Sequence, residues 1–566
     1  MVKRKSYRRQ SLYSMFMLTG ILILLNMLSS VYFTRIDLTT DKRFTLSDSS
    51  KVMLKKLDDV VFVKVFLDGE MPAGFQRLKN SIRDLLDEMK AYAGSNIQYE
   101  FLDPFAGKTE EEKNKIVSDL YEKGLDSRNV QSQSTDQYSQ KLLVPGALVT
   151  YHGKTTPINF LKEAVGAETA LNNSISQLEN GLTIAMQMLL QKSPEKIAFM
   201  YGQGELPLPY LSDFALELSK YYTLEEFNAK NILGIPSEYE MIVIAKPLEA
   251  FDDSVKYWLD QYVMHGGKIL WMVESLHAEI DSLTNSSAMM AMDYHLNLDD
   301  ILFKYGVRIN PVLLQDLQCN SVPLLSNYDA KKQPQFMPYP CLYFPVLTPD
   351  NPNIITNGLD AVSTEFCSTI DTNSAKGITK TILLHSSDSC RTMPVPWLVD
   401  FKELRNAPQK EYFKYKKLPV AVLLEGKFES LFKNRLSQKF LDITRDSFKM
   451  PFKDLSVSNK MIVIADGDIG KNDIRQNQPM PLGYHWYNKQ YYFNNKSFLV
   501  NCVDYLNDHS DHIITRAKTV KLRLLDKQKI QSEKIKWQLI NLVLPILFSI
   551  FFGMTYVFIR RRKFSS

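Results

Sequence analysis

Hydrophobic residues concentrate in two runs near the ends of the chain, and the long segment between them mixes apolar and polar positions. The second run covers residues 538–559 without a charged residue, and four cations follow it directly. One apolar helix of about 20 residues crosses a bilayer, and Lys and Arg beside a span favour the cytoplasmic side. The pattern predicts a transmembrane helix at 538–559 with a cytoplasmic basic tail at 560–566. A buried core helix is the alternative.

Side chains at the edges and on one face of this helix have predicted roles. Aromatic rings favour the lipid–water boundary, and the basic tail holds the helix end at the cytoplasmic face. Small or polar residues recur at every fourth position, and helices in lipid use such residues for close contact. This stripe predicts a docking surface for a partner helix, and a stripe that faces lipid is the alternative. The docking residues are Asn541, Pro545, Ser549 and Gly553, and the anchoring residues are Trp537, Arg560, Arg561, Arg562 and Lys563.

The first apolar run, residues 15–33, predicts a second transmembrane helix after a basic tail at 1–14. The cations of that tail favour an N-terminus that stays in the cytoplasm. A cleaved signal peptide is the alternative, but no A-x-A-like site follows the run, which favours an uncleaved anchor. Together the two spans predict cytoplasmic termini and a large extracytoplasmic body.

Residues 34–193 are predicted to form the first module of that body. A strand, an amphipathic helix and a strand follow one another, which is typical of a βαβ unit with parallel strands. The Gln/Ser-rich residues 131–140 predict a loop. The predicted elements are a helix from about Asp48 with Ser47 as its cap, strands at 60–68 and 97–104, helices at 75–93 and near 109–123, and a hairpin at 146–160.

Residues 194–515 are predicted to form a second, larger α/β module, and residues 516–537 a juxtamembrane linker. Continuous apolar strands that alternate with helices indicate a parallel sheet covered on both faces. Residues 281–345 show less regular patterning and suggest an insertion between core strands. The predicted strands lie within 196–207, 240–247, 266–274, 379–387, 418–428 and 460–468, and the predicted helices lie at 210–220, 252–265 and 496–507.

Charge and cysteine content exclude several classes of function. The net charge is +5, but the two terminal basic tails hold nine cations without an acid, so the rest of the chain carries −4. A mildly acidic body does not predict nucleic-acid binding. The five cysteines form no C-x-x-C pair, and an odd, sparse set does not predict a disulfide framework or a metal motif.

Two strand ends carry the candidate ligand-contacting residues. YGQGE at 201–205 follows a buried-type strand, at the edge where open α/β sheets bind ligands. A tight turn that needs positive φ at Gly202 and Gly204 is the alternative role, and Glu205 is a contact candidate. At the end of another strand, Asp466 and Asp468 suggest a cation or partner contact, although such acids also cap the next element.

Catalytic motifs are absent from the sequence. GALVTYHGKT resembles a phosphate-binding loop, but Leu148 stands where that motif needs glycine. Neither G-x-S-x-G nor H-E-x-x-H occurs. We therefore predict no catalytic residue, metal site or cofactor, and an enzyme such as a hydrolase is a further alternative.

Seven stretches, taken in order and with both membrane ends, resemble a known family. They are RIDLTTDKRFTLS (35–47), YGQGE (201–205), LPVAVLLEGKFESLFKNR (418–435), KMIVIADGD (460–468), SFLVNCVDYL (497–506), VKLRLLDKQKI (520–530) and KWQLINLVLPI (536–546) with the final RRRK. The chain resembles the gliding-motility-associated ABC transporter proteins of Bacteroidetes, the GldG family. Its central region is similar to the wider family of ABC-transporter auxiliary domains.

The resemblance implies a non-ATPase accessory subunit in the bacterial inner membrane that works with a separate permease and a separate ATPase. It also implies that residues 194–515 resemble the class I glutamine-amidotransferase-like fold, a doubly wound parallel sheet, without its nucleophile. An unknown substrate or an envelope protein is the expected partner of the periplasmic body. An envelope scaffold without a small-molecule ligand is the alternative function.

Overall fold

The chain forms two compact units, residues 1–519 and residues 520–566. The computed structural model describes residues 13, 15–24, 26–27, 45–134, 137–161, 167–190, 194–230, 232, 234–283, 286, 288–328, 333–349, 353–446, 450–476, 478–484, 493–517 and 527–564. Residues 1–12 of the predicted basic tail, 28–33 of the predicted first span and 518–526 of the predicted linker lie outside the described residues.

A four-stranded sheet organises the first part of the larger unit, with the strand order β2-β1-β5-β6. The elements are α1 (Met15–Leu24), α2 (Asp48–Lys55), β1 (Val61–Val65), α3 (Ala73–Ala93), β2 (Ile97–Phe101), α4 (Glu110–Glu122), β3 (Arg128–Ser134), β4 (Gln137–Leu143), β5 (Gly146–Tyr151), β6 (Lys154–Asn159), α5 (Ala167–Ser176) and α6 (Leu178–Leu190). Strands β1 and β2 are parallel, and β5–β6 is an antiparallel hairpin, so the predicted βαβ unit and hairpin are confirmed.

Helix α3 packs on this sheet because its apolar residues recur at helical spacing. Leu78, Ile82 and Leu86 are fully buried in one core with strand β1. At the start of α2, the Ser47 hydroxyl accepts a hydrogen bond from the Ser50 N–H, as the predicted cap requires.

The prediction of a loop at residues 131–140 is wrong. Strands β3 and β4 form an antiparallel hairpin whose pairing runs from Arg128 opposite Leu143 to Ser134 opposite Gln137. A polar composition predicts solvent exposure, but strand pairing depends on backbone hydrogen bonds that polar residues make equally well.

The remaining elements of the larger unit follow residue 194. The first are β7 (Lys196–Tyr201), α7 (Ser212–Leu218), β8 (Thr223–Asn228), β9 (Tyr239–Ala245), α8 (Asp253–Met264), β10 (Lys268–Met272), β11 (Leu276–His277), β12 (Ala288–Asp293), α9 (Asp299–Tyr305), β13 (Val307–Asn310), β14 (Val312–Asp316), β15 (Cys319–Tyr328) and β16 (Pro334–Leu347). The others are β17 (Val362–Ser363), β18 (Thr369–Thr372), β19 (Ile378–His385), β20 (Cys390–Pro394), β21 (Trp397–Asp400), β22 (Pro419–Gly426), α10 (Gln438–Asp446), β23 (Asn459–Ile464), β24 (Ile474–Arg475), β25 (Gln478–Pro479), α11 (Asn495–Leu506) and α12 (Ser510–Ala517).

A seven-stranded sheet with the order β19-β22-β23-β10-β9-β7-β8 forms the centre of this part. The five strands from β23 to β8 are parallel. Strands β22 and β19 run antiparallel at one edge, so the prediction of a wholly parallel sheet is corrected to a mixed sheet. The six strands predicted for this module were read from apolar runs, but the direction of a strand depends on its connection and cannot be read from its composition.

Both faces of the seven-stranded sheet are covered, as predicted. In strand β9, Ile242 and Ile244 join the core that contains helix α8, whereas Met241 and Val243 join the core that contains α7 and α11. Successive side chains of a strand point to opposite faces. A strand that is apolar at every position therefore serves two cores, which is why these strands read as continuous apolar runs.

An inserted β region replaces the irregular segment expected at residues 281–345. Strands β12, β14, β15 and β16 pair with one another or with later strands β17, β20 and β21. Strand β16 contains several prolines, which lack the N–H that strand pairing uses. Three of them, Pro334, Pro338 and Pro340, stand an even number of residues apart and therefore turn their backbone nitrogens to the same side.

Helix α13 (Lys527–Phe564) makes up most of the smaller unit. Its segment Lys536–Ile559 has 24 residues and a mean hydropathy of 2.3, enough in length and composition to cross a membrane. The described part of the predicted first span is α1, whose apolar stretch Met15–Leu24 is shorter than a bilayer needs. The first span therefore stays a prediction.

Candidate functional site

The carboxyl ends of the parallel strands bring the candidate residues to one edge of the seven-stranded sheet. The turn at residues 202–205 follows β7, Lys246 follows β9, Glu274 lies just beyond β10, and Asp466 and Asp468 lie just beyond β23. From β7 the chain connects to β8 on one side, and from β9 it connects to β10 on the other side. Such a reversal of strand order opens the crevice where α/β sheets commonly bind ligands.

The glycines of the turn have the predicted conformation, with φ of 128° at Gly202 and 77° at Gly204. Positive φ is readily adopted only by glycine. The carbonyl of Gln203 accepts hydrogen bonds from the N–H groups of Leu248 and Glu249, at 2.9 and 2.8 Å. The turn is thus fixed against the loop that follows β9.

A cavity of about 370 Å³ lies beside this turn and is lined by Gly202, Gly204, Glu205 and the end of β9 at Ala245. Its wall is otherwise mostly apolar, with Phe199, Leu206, Pro207, Leu208, Pro209 and Leu211. Glu205 is buried, and its Oε2 accepts a hydrogen bond of 2.7 Å from the Gln203 N–H. Burial raises the pKa of the Glu205 carboxyl, and the nearby Glu249 raises it further.

Four ionisable side chains near the β9 loop form what we call the lysine–carboxylate cluster: Lys246, Glu274, Asp466 and Asp468. The Lys246 Nζ lies 2.7 Å from the Asp468 Oδ2 and 3.3 Å from Glu279 Oε1. The Lys246 side chain is only 1% exposed. Lys246 also has φ of 51°, which residues other than glycine adopt uncommonly.

The two aspartates are engaged within the protein. Asp466 accepts hydrogen bonds from the N–H groups of Asp468, at 2.8 Å, and Glu365, at 3.1 Å. Asp468 pairs with Lys246 and, at 3.4 Å, with Lys471. Asp466 therefore accepts an N–H group of the segment that follows its strand, as in the alternative capping role. Asp468 forms an ion pair within the protein.

Burial changes the proton affinity of this cluster. It raises the pKa of Glu274 and of Asp466 well above the ordinary range, and the neighbouring aspartates add to the effect. Burial also raises the pKa of the adjacent Glu365 to about 8. For Lys246, burial favours the neutral amine, but the carboxylates of Asp468 and Glu274 outweigh it and raise the pKa.

Among the described residues, no group of three or more His, Cys, Asp and Glu side chains is arranged to hold a metal ion. The Lys246 ammonium occupies the position beside Asp468 that a cation would take. The positive charge of Lys246 therefore balances the negative charge of Asp468 within the cluster.

The residues predicted to anchor and dock the C-terminal helix all lie on α13. Trp537 is exposed, and its Nε1 donates a hydrogen bond of 2.9 Å to Glu533. In the proposed docking stripe, the Ser549 hydroxyl donates to the Pro545 carbonyl at 2.9 Å, and a side chain at Gly553 would meet open space. The helix continues through Arg560, Arg561, Arg562 and Lys563.

Lys246, Glu274 and Glu365 are the important residues that were not predicted as site residues. Lys246 and Glu274 each follow an apolar strand, so a systematic reading of strand ends could have found them. Glu365 lies between two short strands of the inserted β region, and nothing local in the sequence indicates its place beside Asp466.

Comparison with known families decides where the chain belongs. A model of the auxiliary ABC transport family, described as an ABC-type uncharacterized transport system, matches residues 194–502, more than half of the chain. The chain belongs to this family. The match covers the seven-stranded sheet, the 202–205 turn and the lysine–carboxylate cluster. It confirms the resemblance to the family of ABC-transporter auxiliary domains. A second model, a domain of unknown function (DUF7088), matches residues 40–150.

Two individual proteins show distant similarity to this chain. An uncharacterized protein of Borreliella burgdorferi is 19% identical over 427 residues, which is 72% of this chain and 76% of that protein. Among solved structures, the mmIFT52 N-terminal domain is 11% identical with a TM-score of 0.30, covering 58% of this chain and 100% of that chain.

Proposed function

We propose that the protein is a non-catalytic, membrane-anchored accessory subunit of an ABC transport system, working with a separate permease and a separate ATPase. The family match over residues 194–502 carries the proposal. The apolar helix Lys536–Ile559 supports it, because it offers a means of holding the body beside a membrane-embedded permease.

In this proposal the protein acts by binding, and the cavity beside the 202–205 turn is the ligand site. The cavity lies at the switch point between β7 and β9, where open α/β sheets commonly hold ligands. Its volume of about 370 Å³ is within the range of small-molecule sites. The left-handed backbone at Lys246 next to it is the kind of strain that tends to persist at functional sites.

The proposed topology has two spans, at 15–33 and 538–559, with both tails in the cytoplasm and two periplasmic modules, 34–193 and 194–515. Reporter fusions at residues 5, 300 and 566 test it. Cytoplasmic signals at both ends and a periplasmic signal at 300 are expected. A cytoplasmic signal at 300 would contradict the whole arrangement.

Association with a transporter is tested by purifying the tagged full chain from its native host in mild detergent. A permease and an ATPase are expected to co-purify. The substitutions Ser549→Leu and Gly553→Leu add bulk to the proposed docking stripe and should reduce the yield of the permease, because close helix contact in lipid depends on small residues.

Leu547→Phe is the matched control for these stripe variants. Leu547 lies on the opposite face of α13 by helical spacing, so added bulk there should leave co-purification unchanged. An unchanged permease yield in the stripe variants would favour the alternative in which the stripe faces lipid. Co-purification of neither protein from wild type would refute the accessory-subunit proposal.

An envelope scaffold without a small-molecule ligand is the second candidate. The internal pairing of Asp466 and Asp468 favours it, because two of the five predicted contact residues are engaged with protein groups. A thermal-shift screen of the full chain separates the two, since a ligand that binds only the folded state raises the melting temperature. No shift together with a co-purified permease would favour the scaffold.

The finer resemblances also stay proposals. A closer relationship to the gliding-motility proteins of Bacteroidetes would require that loss of this protein abolishes surface spreading. A class I glutamine-amidotransferase-like arrangement of residues 194–515 has to allow for the two antiparallel strands at one edge of the sheet.

A further inference from the structure

The cavity beside the turn contains negative charge without a matching cation. Of the described residues that line it, Glu205 and Glu226 are acidic and none is basic. Lys230 lies close to the turn, since its backbone N is 3.1 Å from where a Cβ at Gly202 would be. Its Nζ, however, forms an ion pair with the Glu249 Oε2 at 2.8 Å. The local charge therefore favours a cationic ligand.

The Glu205 carboxylate is incompletely satisfied. Its Oε2 accepts the Gln203 N–H, but its Oε1 is buried and has no hydrogen-bond partner among the described residues. An unsatisfied acceptor on a side chain that lines a cavity is unusual, because a buried polar group without a partner destabilises the folded state. A ligand with an N–H donor would satisfy it.

We propose that this cavity takes a small ligand with a protonated primary amine and an apolar body. The ammonium group would donate to Glu205, and its charge would also be attracted to Glu226 at the exposed rim. The apolar body would lie against the leucine and proline side chains of the wall. The inference builds on the proposed function, in which this edge of the sheet is the ligand site.

Tyr201 adds a further reason for an amine. It lines the cavity and is exposed, so its ring is available to a ligand that enters from solvent. Aromatic rings attract ammonium groups through their negative faces. An anion would instead meet two carboxylates and, among the described lining residues, no basic side chain, which disfavours the anionic ligands that helix and glycine turns often hold.

The test compares three probes of similar size on the purified full chain by isothermal titration calorimetry. The probes are phenethylamine, 2-phenylethanol and 3-phenylpropionate, which share a ring and differ in charge. Phenethylamine should bind about tenfold or more tightly than the alcohol, because a charged hydrogen bond is stronger than a neutral one. The carboxylate should not bind. Equal binding of the amine and the alcohol, or no binding of the amine, would overturn the proposal.

Variants locate the site. Glu205→Gln should weaken phenethylamine about tenfold or more and leave 2-phenylethanol unchanged. Glu274→Gln is the matched control, since Glu274 is also a buried acid with one oxygen that lacks a partner among the described residues, and it does not line the cavity. Unchanged affinity of Glu205→Gln for phenethylamine would refute the site. If Glu205→Gln does not fold, the ranking of the three probes on the wild-type protein decides the ligand class. Co-purification of the transporter subunits does not depend on these titrations, so either proposal can fail alone.

Discussion

Replacing Lys246 with methionine should destabilise the larger unit strongly. The Lys246 ammonium is almost fully buried and lies 2.7 Å from Asp468, whose side chain is 6% exposed. Methionine keeps much of the apolar stem but removes the charge, so Asp468 loses its principal counter-charge inside the protein. Breaking a buried ion pair by removing one partner costs about 3–5 kcal/mol. We expect a loss of folding free energy in this range.

Lys471→Met is the matched control, because Lys471 contacts the same aspartate from a more exposed position. Its Nζ lies 3.4 Å from the other Asp468 oxygen, and its side chain is 24% exposed. Pairs that solvent can screen contribute about 0–1 kcal/mol. The same change of residue type at two distances from solvent therefore separates the effect of burial from the effect of losing a lysine.

Urea unfolding followed by tryptophan fluorescence measures the difference, since Trp258 and Trp271 are buried in a core of the seven-stranded sheet. With a slope of about 3 kcal/mol per molar urea, the loss predicted for Lys246→Met lowers the midpoint by about 1 M or more. Adding Asp468→Asn to Lys246→Met should recover part of the loss, because it removes the unpaired charge. Equal effects of the two lysine variants, or no recovery in the double variant, would refute the assignment of a buried ion pair.

Two further predictions concern the same edge of the sheet. Burial raises the pKa of Glu365 from about 4.5 to about 8 in the folded state. Between these pH values the folded state binds more protons than the unfolded state. The free energy of unfolding should therefore fall as pH rises through this window. Glu365→Gln should flatten that fall in a series of melting temperatures from pH 5 to 8, and an unchanged slope would contradict the raised pKa. Gly467→Ala should cost about 1–3 kcal/mol in urea unfolding, because the new Cβ would lie 2.6 Å from the Lys246 Cγ and 2.9 Å from the Glu274 Cβ. Its control is Gly181→Ala inside helix α6, where the nearest atom is 3.7 Å away and alanine should add about 0.5–1 kcal/mol to the folding stability. A Gly467→Ala variant as stable as wild type would show that the lysine–carboxylate cluster is loosely packed.

Much of the fold was predictable because hydrophobic spacing reports which side of an element is buried. The spacing of Leu78, Ile82 and Leu86 predicted the face of α3 that packs on the first sheet. Strand β9 reads as a continuous apolar run because its two faces serve two different cores. The loop predicted at 131–140 failed because polar side chains say little about backbone pairing between neighbouring segments.

The candidate site was predictable only at the strand ends. Gly202 and Gly204 follow β7 in the sequence and have the positive φ that their type allows. The approach of Gly204 to Leu248 and Glu249, which helps to define the turn beside the cavity, joins segments separated along the chain by about 45 residues. A local pattern does not contain such a contact, since it depends on the order of strands in the sheet.

By itself the sequence determined that the chain has an apolar C-terminal helix followed by four cations, an α/β body and glycines that require a left-handed turn. These features depend on local composition and spacing, which decide the solvent preference and backbone freedom of each segment. Only the tertiary structure decided that two strands run antiparallel, that Lys246 neutralises Asp468, and that Glu205 is buried beside a cavity with one oxygen unsatisfied among the described residues. Burial and pairing depend on segments far apart in the chain, and they change the charge and chemistry of a side chain whose identity the sequence already shows.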